Sequence, residues 1–410
     1  MRSTSSALFA VGLATVVAAT AGCGSASEEA PTAQTVDLSK LDVGNLPTEP
    51  KVYDKPTSPD MAAMVEAMRI GNNIPLPMEI EPEATHAPPA MSGAVRIFID
   101  FSSAAIKSRM SADPVKLNER AQGFISGFVS TARSNSEPSL SYELDNVVML
   151  FDTEQNATAA AEVLATEEAA AAPGTFPVQV GDGTGNLIDV HAQMHPEWPG
   201  QIRSWKAVGK FVIFTYVYDS VMGVLKESDE QKLVARVQNS INKIAPALQR
   251  YTPTAPDKMM DLDVDPDGML GRAMHTISLD SNQRGIPGVY DRHGGLQLMG
   301  NTEKMSELFE DTGVDRVAWQ GNFVFRAKDD ASAAKVADYF GDPSKHFRSA
   351  PAPEHLPMAQ CLEYVGPETF ATKYYCSVSY SRYATQVAAT QLTDVHQRIS
   401  AQYTILAKAK

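Results

Sequence analysis

The chain has 410 residues, with 49 acidic against 35 basic side chains and a formal net charge of −14 at pH 7. An acidic surface of this kind repels nucleic acid and anionic lipid headgroups, so the composition excludes a nucleic-acid-binding protein. The length exceeds the size at which single hydrophobic cores stop growing, and it therefore predicts two domains.

The first 22 residues have the features of a lipoprotein signal peptide. Arg2 supplies a positive charge, and the apolar run over residues 7–20 has the length of a signal-peptide core rather than of a membrane span. Small residues then lead directly to Cys23. The segment resembles the lipobox of bacterial lipoproteins, although Thr20 stands where Leu is usual. The resemblance implies cleavage before Cys23 and attachment of acyl chains, palmitate among them, to this cysteine.

Lipidation of Cys23 predicts a protein anchored at the extracytoplasmic face of the cell membrane. Two or three acyl chains give durable anchoring, whereas a single chain binds only marginally. No later apolar run reaches the roughly 18 residues of a membrane-spanning helix, so we expect the rest of the chain to be tethered. The alternative is an ordinary cleavage site near Ala19 or Ala21, which would release a freely secreted protein.

Residues 23–57 are predicted to be the lipidated cysteine and a flexible tether, because they contain few large apolar groups. Residues 58–252 form the predicted first domain. In it, Ser58 and Pro59 begin a helix, and residues 211–217, an uninterrupted run of β-formers, predict a buried strand. Apolar residues at helical spacing after Ser228 predict a long helix that docks on the sheet. Further strands are predicted at 94–101, 140–151 and between 176 and 210, and further helices at 115–129 and 157–171.

Residues 253–410 form the predicted second domain, which repeats the order of the first. Residues 151–160 align with residues 325–334, in each case a strand, a polar turn and a helix that opens on small residues. Residues 374–383 are expected to correspond to the strand at 211–218. The predicted fold class is α+β, with two tandem related domains, each an antiparallel sheet with helices packed on one face. The alternative is chance similarity between short segments.

Two further cysteines, Cys361 and Cys376, are an even pair in a chain that is expected to be exported. Both lie in strand-like stretches that Gly366 and Pro367 separate. One disulfide that staples a hairpin is therefore predicted. The competing interpretation is a metal-binding or redox pair, but the spacing is typical of neither.

Four parts of the chain carry a family resemblance. They are residues 36–47, the lipobox, the segment Asp265-Pro-Asp-Gly268 and the C-terminal strands that contain the two cysteines. They resemble a family of uncharacterised lipoproteins from mycolic-acid-bearing actinobacteria. The resemblance covers nearly the whole chain and is most specific over residues 41–47. The family has no established activity, but the resemblance implies that residues 36–50 pack on the first domain.

The clearest candidate for a metal site is a run of alternating carboxylates, Asp263, Asp265 and Asp267, followed by Gly268. Such spacing is found in calcium-binding loops, which also need an acidic residue at the twelfth position. Counting from Asp263, that position is Met274. A turn between the two domains is the alternative interpretation.

Other motifs favour ordinary structure over chemistry. Residues 181–186 are rich in glycine, but a strand follows them rather than a helix, so a hairpin loop is expected in place of a phosphate site. His191 and His195 have the spacing of helical metal ligands, but Pro196 argues against a helix. No nucleophile elbow is present, so we predict no cofactor and do not expect an enzyme.

Three hypotheses for function follow. The first is a noncatalytic binding or scaffold module of the cell envelope, with a protein partner. The second is a carrier of lipid or of another small apolar molecule, in which some of the 17 Met residues form an adaptable wall. The third is an envelope hydrolase, for which the sequence offers no particular residues.

Overall fold

Two antiparallel sheets of seven strands organise the part of the chain that the structure describes, which is residues 36–88, 96–181, 189–275, 287–366 and 372–410 of a computed structural model. The predicted signal peptide, Cys23 and the first part of the tether lie outside these residues. Among the described residues, no helix has both the length and the apolar character needed to cross a membrane.

The first sheet and its helices occupy the first part of the chain. Its strands are β1 (Ile97–Phe98), β2 (Phe124–Arg133), β3 (Tyr142–Phe151), β4 (Phe176–Pro177), β5 (His191–Met194), β6 (Gln201–Val208) and β7 (Phe211–Asp219). The helices are α1 (Pro59–Asn73), α2 (Pro77–Ile80), α3 (Ala104–Lys107), α4 (Pro114–Arg120), α5 (Glu154–Ala171), α6 (Ser220–Leu225) and α7 (Glu230–Arg250). Across the sheet the strands run in the order β1-β2-β3-β7-β6-β5-β4.

The second sheet has the same topology as the first. Its strands are β8 (Gly288–Asp291), β9 (Arg316–Trp319), β10 (Phe323–Arg326), β11 (Phe347–Ala350), β12 (Gln360–Tyr364), β13 (Tyr374–Tyr380) and β14 (Tyr383–Ala389). The helices are α8 (Arg292–Leu296), α9 (Thr302–Thr312), α10 (Asp330–Gly341) and α11 (Leu392–Lys408). The spatial order β8-β9-β10-β14-β13-β12-β11 matches the first sheet strand for strand. The predicted fold class, two tandem related α+β units, is therefore confirmed.

Helices cover both faces of each sheet, which adds a second layer to the single layer that was expected. In the first sheet, even-numbered residues of β3 such as Val148 pack with α1 and α7, and odd-numbered ones such as Val147 pack with α5. In the second sheet, Phe325 packs with α9 and α10, whereas Val324 packs with α1 and α11. Successive residues of a strand point to opposite faces, so the apolar residues of these central strands pack on both faces of each sheet.

Two details of the predicted repeat differ in the structure. The strand equivalent to β7 is β14, and the predicted equivalent at residues 374–380 is instead β13, the counterpart of β6. The turn before α10 is one residue longer than the turn before α5, because three residues separate β10 from α10 and two separate β3 from α5. The short sequence alignment therefore located the repeat but paired residues that are not structurally equivalent. Additional residues in a turn cost little free energy, so the spacing between equivalent elements can differ between the two halves.

The helix predicted at residues 115–129 is wrong in its second half. Helix α4 ends at Arg120, and β2, a strand with neighbours on both sides, begins at Phe124. Gly123 has a positive φ of 74°, which ends the helical path, and the backbone of Gly127 lies against the ring of Phe98. The glycines therefore mark a turn and a close contact rather than breaks in a helix. The strand predicted at 94–101 is limited to Ile97–Phe98 among the described residues.

Helix α1 is shared by the two sheets, and residues 37–410 form one compact unit. Ten of its 15 residues are buried. Gly71 packs against Phe128 of the first sheet, and Met68 packs against Gly288 of the second. Met and Ala residues give α1 apolar side chains on more than one face, and this allows it to pack against both sheets.

Residues 36–57 differ from the predicted tether. Val43 and Leu46 pack with Met274, Ala401 and Ile405, of which the last two belong to α11. Further along, the backbone nitrogen of Lys51 donates to the Gly271 oxygen at 3.0 Å, and Tyr53 bonds with Gln320. The segment therefore packs on the second half of the chain, and the expectation that it packs on the first is wrong. Few apolar residues are needed because the segment joins an existing core.

The disulfide between Cys361 and Cys376 is present. The two residues face each other directly in the β12–β13 pair, and both are nearly inaccessible to solvent. The predicted disulfide between two strands of a hairpin is thus confirmed.

We expect replacement of both cysteines by serine to lower the free energy of unfolding by about 3 kcal/mol, because the bridge closes a loop of 15 residues in the unfolded chain. Urea denaturation with and without a thiol reductant measures this. The wild-type protein in reductant should approach the double variant, and equal stability of the oxidised wild type and the variant would contradict the prediction.

Candidate functional site

A cleft of about 290 Å³ lies where α1, the segment after α7 and strand β8 meet. We call it the junction cleft. Ligand sites are usually concave, largely apolar and placed between domains, so this cleft is the candidate functional site.

Apolar side chains form about half of the lining of the junction cleft. Helix α1 contributes Val65 and Met68, the connecting segment contributes Leu262 and Val264, and β8 contributes Val289. Helical spacing brings Val65 and Met68 to one face of α1. Three elements from distant parts of the chain thus form one apolar surface.

Charged and polar groups also line the cleft, and they include two guanidinium groups. Arg69 pairs with Glu66 at 2.6 Å, and Arg316 pairs with Asp267 at 3.0 Å. Asp291 accepts a bond from the Gly294 nitrogen at 2.8 Å and so caps α8. Both arginines are partly exposed, and each is paired with a carboxylate that neutralises its charge. A ligand in the cleft would therefore meet hydrogen-bond donors rather than a strong net positive charge.

Glu66 holds the connecting segment against α1. Its buried carboxylate accepts bonds from the Tyr251 hydroxyl at 2.7 Å and from the Thr254 nitrogen at 3.0 Å. A carboxylate with this many donors is satisfied despite its burial. Burial, followed by the charge of Glu66, raises the pKa of Tyr251 far above its usual range, so the hydroxyl stays a donor. This arrangement fixes the position of one wall of the cleft.

The predicted calcium ligands do not converge. Asp263 accepts from the Asp265 nitrogen at 3.0 Å, whereas the Asp265 carboxylate accepts from the nitrogens of Leu270 and Gly271. Asp267 instead pairs with Arg316 and with Arg326, 3.1 Å away. Arg316 lowers the pKa of Asp267, whereas burial raises the pKa of Asp265. The three carboxylates therefore organise the turn between the two halves, as the alternative interpretation expected.

Other predicted ligands lie apart as well. His195 makes a contact of 2.9 Å with the Pro173 oxygen and stacks on Trp198, and His191 begins β5. Residues 182–188, most of the predicted glycine-rich loop, lie outside the described residues. Among the described residues, one group of three potential metal ligands lies within 4.8 Å, and it consists of Cys361, Cys376 and His396. Two of these are the disulfide, which leaves a single imidazole.

The structure also contains a buried group of charges that sequence reasoning missed. We call it the arginine cluster, and it comprises Arg96, Arg109, Arg133, Glu143 and Asp145. Arg109 Nε lies 2.8 Å from Asp145 Oδ2, and both side chains are at most 2% exposed. Glu143 faces Arg133 across the β2–β3 pair. The signal in the sequence was two acidic residues, Glu143 and Asp145, in a strand that is mostly apolar.

The environment of Glu143 alters its protonation. Burial, and then the charge of Asp145, raises the pKa of Glu143 to about 7, against the opposing effect of Arg109, Arg133 and Arg96. Burial and the neighbouring Arg109 likewise lower the pKa of Arg96 to about 10. The cluster therefore changes its charge near neutral pH.

We expect stability to fall as the pH rises from about 5 to 8. A carboxyl group whose pKa is raised on folding contributes stability that is fully present below its unfolded pKa and lost as the pH passes its folded pKa. Replacing Glu143 by Gln should flatten this decline, whereas Glu137→Gln, at an exposed position, should leave it unchanged. Thermal unfolding at several pH values measures the slope, and a parallel decline in the wild type and Glu143→Gln would refute the assignment.

Comparison with known proteins identifies the two halves as parts of one family. The profile described as "Domain of unknown function (DUF7373) N-terminal" matches residues 53–264, and the profile described as "Domain of unknown function (DUF7373) C-terminal" matches residues 269–409. No curated protein and no solved structure matches the chain. The division between the two profiles falls in the segment that carries Asp265 and Asp267.

Proposed function

The chain belongs to the DUF7373 family, whose function is not known, and we propose that it is a membrane-anchored extracytoplasmic lipoprotein that acts as a noncatalytic binding or scaffold module of the cell envelope. The junction cleft is its binding site. Its hosts are actinobacteria that bear mycolic acids. The lipobox at Cys23 supports the membrane anchor, and the sequence resemblance described above supports the host.

The composition of the junction cleft is the observation that carries the binding role. About half of its lining is apolar, and Asn72 and the remaining donors of the paired Arg69 and Arg316 can orient a ligand. No Ser, Cys, His or Lys is among the described residues that line it. The two carboxylates that line it, Asp263 and Asp291, each accept a hydrogen bond from a backbone nitrogen and so serve the turn and the helix cap, which favours binding over an envelope hydrolase.

The size of the cleft distinguishes between possible occupants. Sites for drug-sized ligands measure about 300–1,000 Å³, and a volume of about 290 Å³ lies at the lower limit of that range. It suits a short apolar group, such as a side chain of a protein partner, better than a two-chain lipid. A carrier of small apolar molecules is the second candidate, because Met68 offers an adaptable surface.

The anchor is tested by Cys23→Ala in a host of the proposed kind. We expect the wild-type protein to fractionate with membranes and to incorporate labelled fatty acid, and the variant to do neither. A variant at a disulfide position, Cys361→Ser, should keep the label and controls for general loss of export. Continued labelling of Cys23→Ala would exclude this cysteine as the lipid attachment site.

The cleft is tested by native mass spectrometry of residues 24–410 purified from the exported protein. A carrier of a small apolar molecule should show a stoichiometric adduct in the wild type and lose it in Leu262→Trp, which fills the cleft from a half-buried position. Met260→Trp is the matched control, since Met260 is 42% exposed on the same segment and does not line the cleft. An unmodified mass for the wild type would favour the scaffold module with a protein partner over the carrier, whereas an adduct that Leu262→Trp retains would show that the cleft is not the binding site.

A further inference from the structure

The two carboxylates of the junction cleft are not paired with its two arginines. Asp263 lies on the connecting segment and Asp291 ends β8, and both line the cleft. The arginines are paired with acids outside the lining, as described above. Even Arg316, the cross-strand neighbour of Asp291, directs its Nε to Asp267 at 3.0 Å. The negative charges of the two lining carboxylates are therefore left for a ligand.

Each of these carboxylates also keeps one oxygen free. One oxygen of Asp263 accepts a bond from the Asp265 nitrogen at 3.0 Å, and one oxygen of Asp291 accepts from the Gly294 nitrogen at 2.8 Å. The second oxygen of each makes no hydrogen bond within the part of the chain that the structure describes. Asn72 also lines the cleft, and its buried Oδ1 has no hydrogen-bond partner among the described residues. The cleft therefore offers unused acceptors, two of which are charged.

We propose that the junction cleft binds the side chain of a lysine on a protein partner. This inference rests on the proposed function and names the chemical group that the cleft recognises. The aliphatic stem of lysine packs on apolar surfaces while its ammonium stays at a polar rim, and the ammonium carries three donors. A guanidinium group pairs best with both oxygens of one carboxylate, whereas Asp263 and Asp291 each keep a single free oxygen. The arrangement thus favours lysine over arginine.

The size of the cleft and the charge of the whole chain agree with this occupant. A volume of about 290 Å³ admits one side chain together with its adjoining backbone. The net charge of −14 attracts a basic partner over a distance and accelerates association. A neutral apolar ligand would cover Asp263 and Asp291 without compensating their charge, which is costly.

The inference is tested with two small probes, Nα-acetyl-lysine N-methylamide and its norleucine analogue, which has a similar stem but no ammonium. Binding is followed by NMR through the methyl groups of Met68 and Leu262, both of which line the cleft. We expect saturable shifts with the lysine probe and an affinity about fivefold lower for the norleucine probe, the contribution of an ion pair at a partly exposed site. Raising the salt concentration should reduce this preference.

Two aspartate variants assign the preference to the cleft. Asp263→Asn and Asp291→Asn each remove a charge but keep an oxygen for the backbone nitrogen, and Asn is also a favourable helix cap. Both should weaken binding of the lysine probe and leave binding of the norleucine probe unchanged, which also shows that the variants fold. Asp257→Asn is the matched control, because Asp257 is 76% exposed on the same segment and does not line the cleft.

The outcomes separate this inference from the proposed function. Equal affinities of the wild type for the two probes, or a lysine affinity that neither Asp263→Asn nor Asp291→Asn lowers, would overturn the inference and leave the cleft as a binding site. Absence of shifts with both probes would overturn the inference and also count against the cleft itself.

Discussion

The burial of α1 between the two sheets is the contact on which the rest of the structure depends. Met64 and Ile70 belong to the core of the first half, whereas Met61 and Val65 belong to the core shared with β8 and α11. Full burial of a side chain of this size contributes about 1.5–3 kcal/mol, so one helix stabilises both halves. Because α1 also forms a wall of the junction cleft, the same packing that joins the halves creates the candidate site.

The two halves share a topology, but the strand that carries the arginine cluster in the first half is longer than its counterpart in the second. Strand β3 has ten residues and β10 has four, and the additional residues of β3 include Glu143 and Asp145. The arginine cluster therefore occupies a part of the first sheet that has no counterpart strand in the second. A repeated fold keeps its core pattern in both copies, whereas chemistry can be added where one copy extends beyond the other.

The polar groups between the halves are mostly satisfied within the protein. Ser130 bonds to Gln297 at 2.9 Å, and the nitrogen of Ala87 donates to the Gly300 oxygen at 2.9 Å. His293 bonds to Glu79 at 3.0 Å, and this bond and the charge of Glu79 outweigh burial and raise the pKa of the imidazole. Such directional bonds fix how the halves are oriented, since apolar packing alone is compatible with several arrangements. The junction cleft, in contrast, presents apolar side chains beside polar ones, and we propose that it holds a ligand.

Sequence alone determined the features that rest on local spacing. The stripe of Leu233, Val237 and Ile241 predicted α7, the two C-terminal cysteines predicted the disulfide, and a short likeness revealed the repeat. Tertiary structure decided that residues 124–133 form a strand, that residues 36–57 pack on the second half, and that Glu143 faces Arg133 across two strands. These depend on contacts between residues far apart in the chain, and periodicity carries no information about which distant surfaces meet.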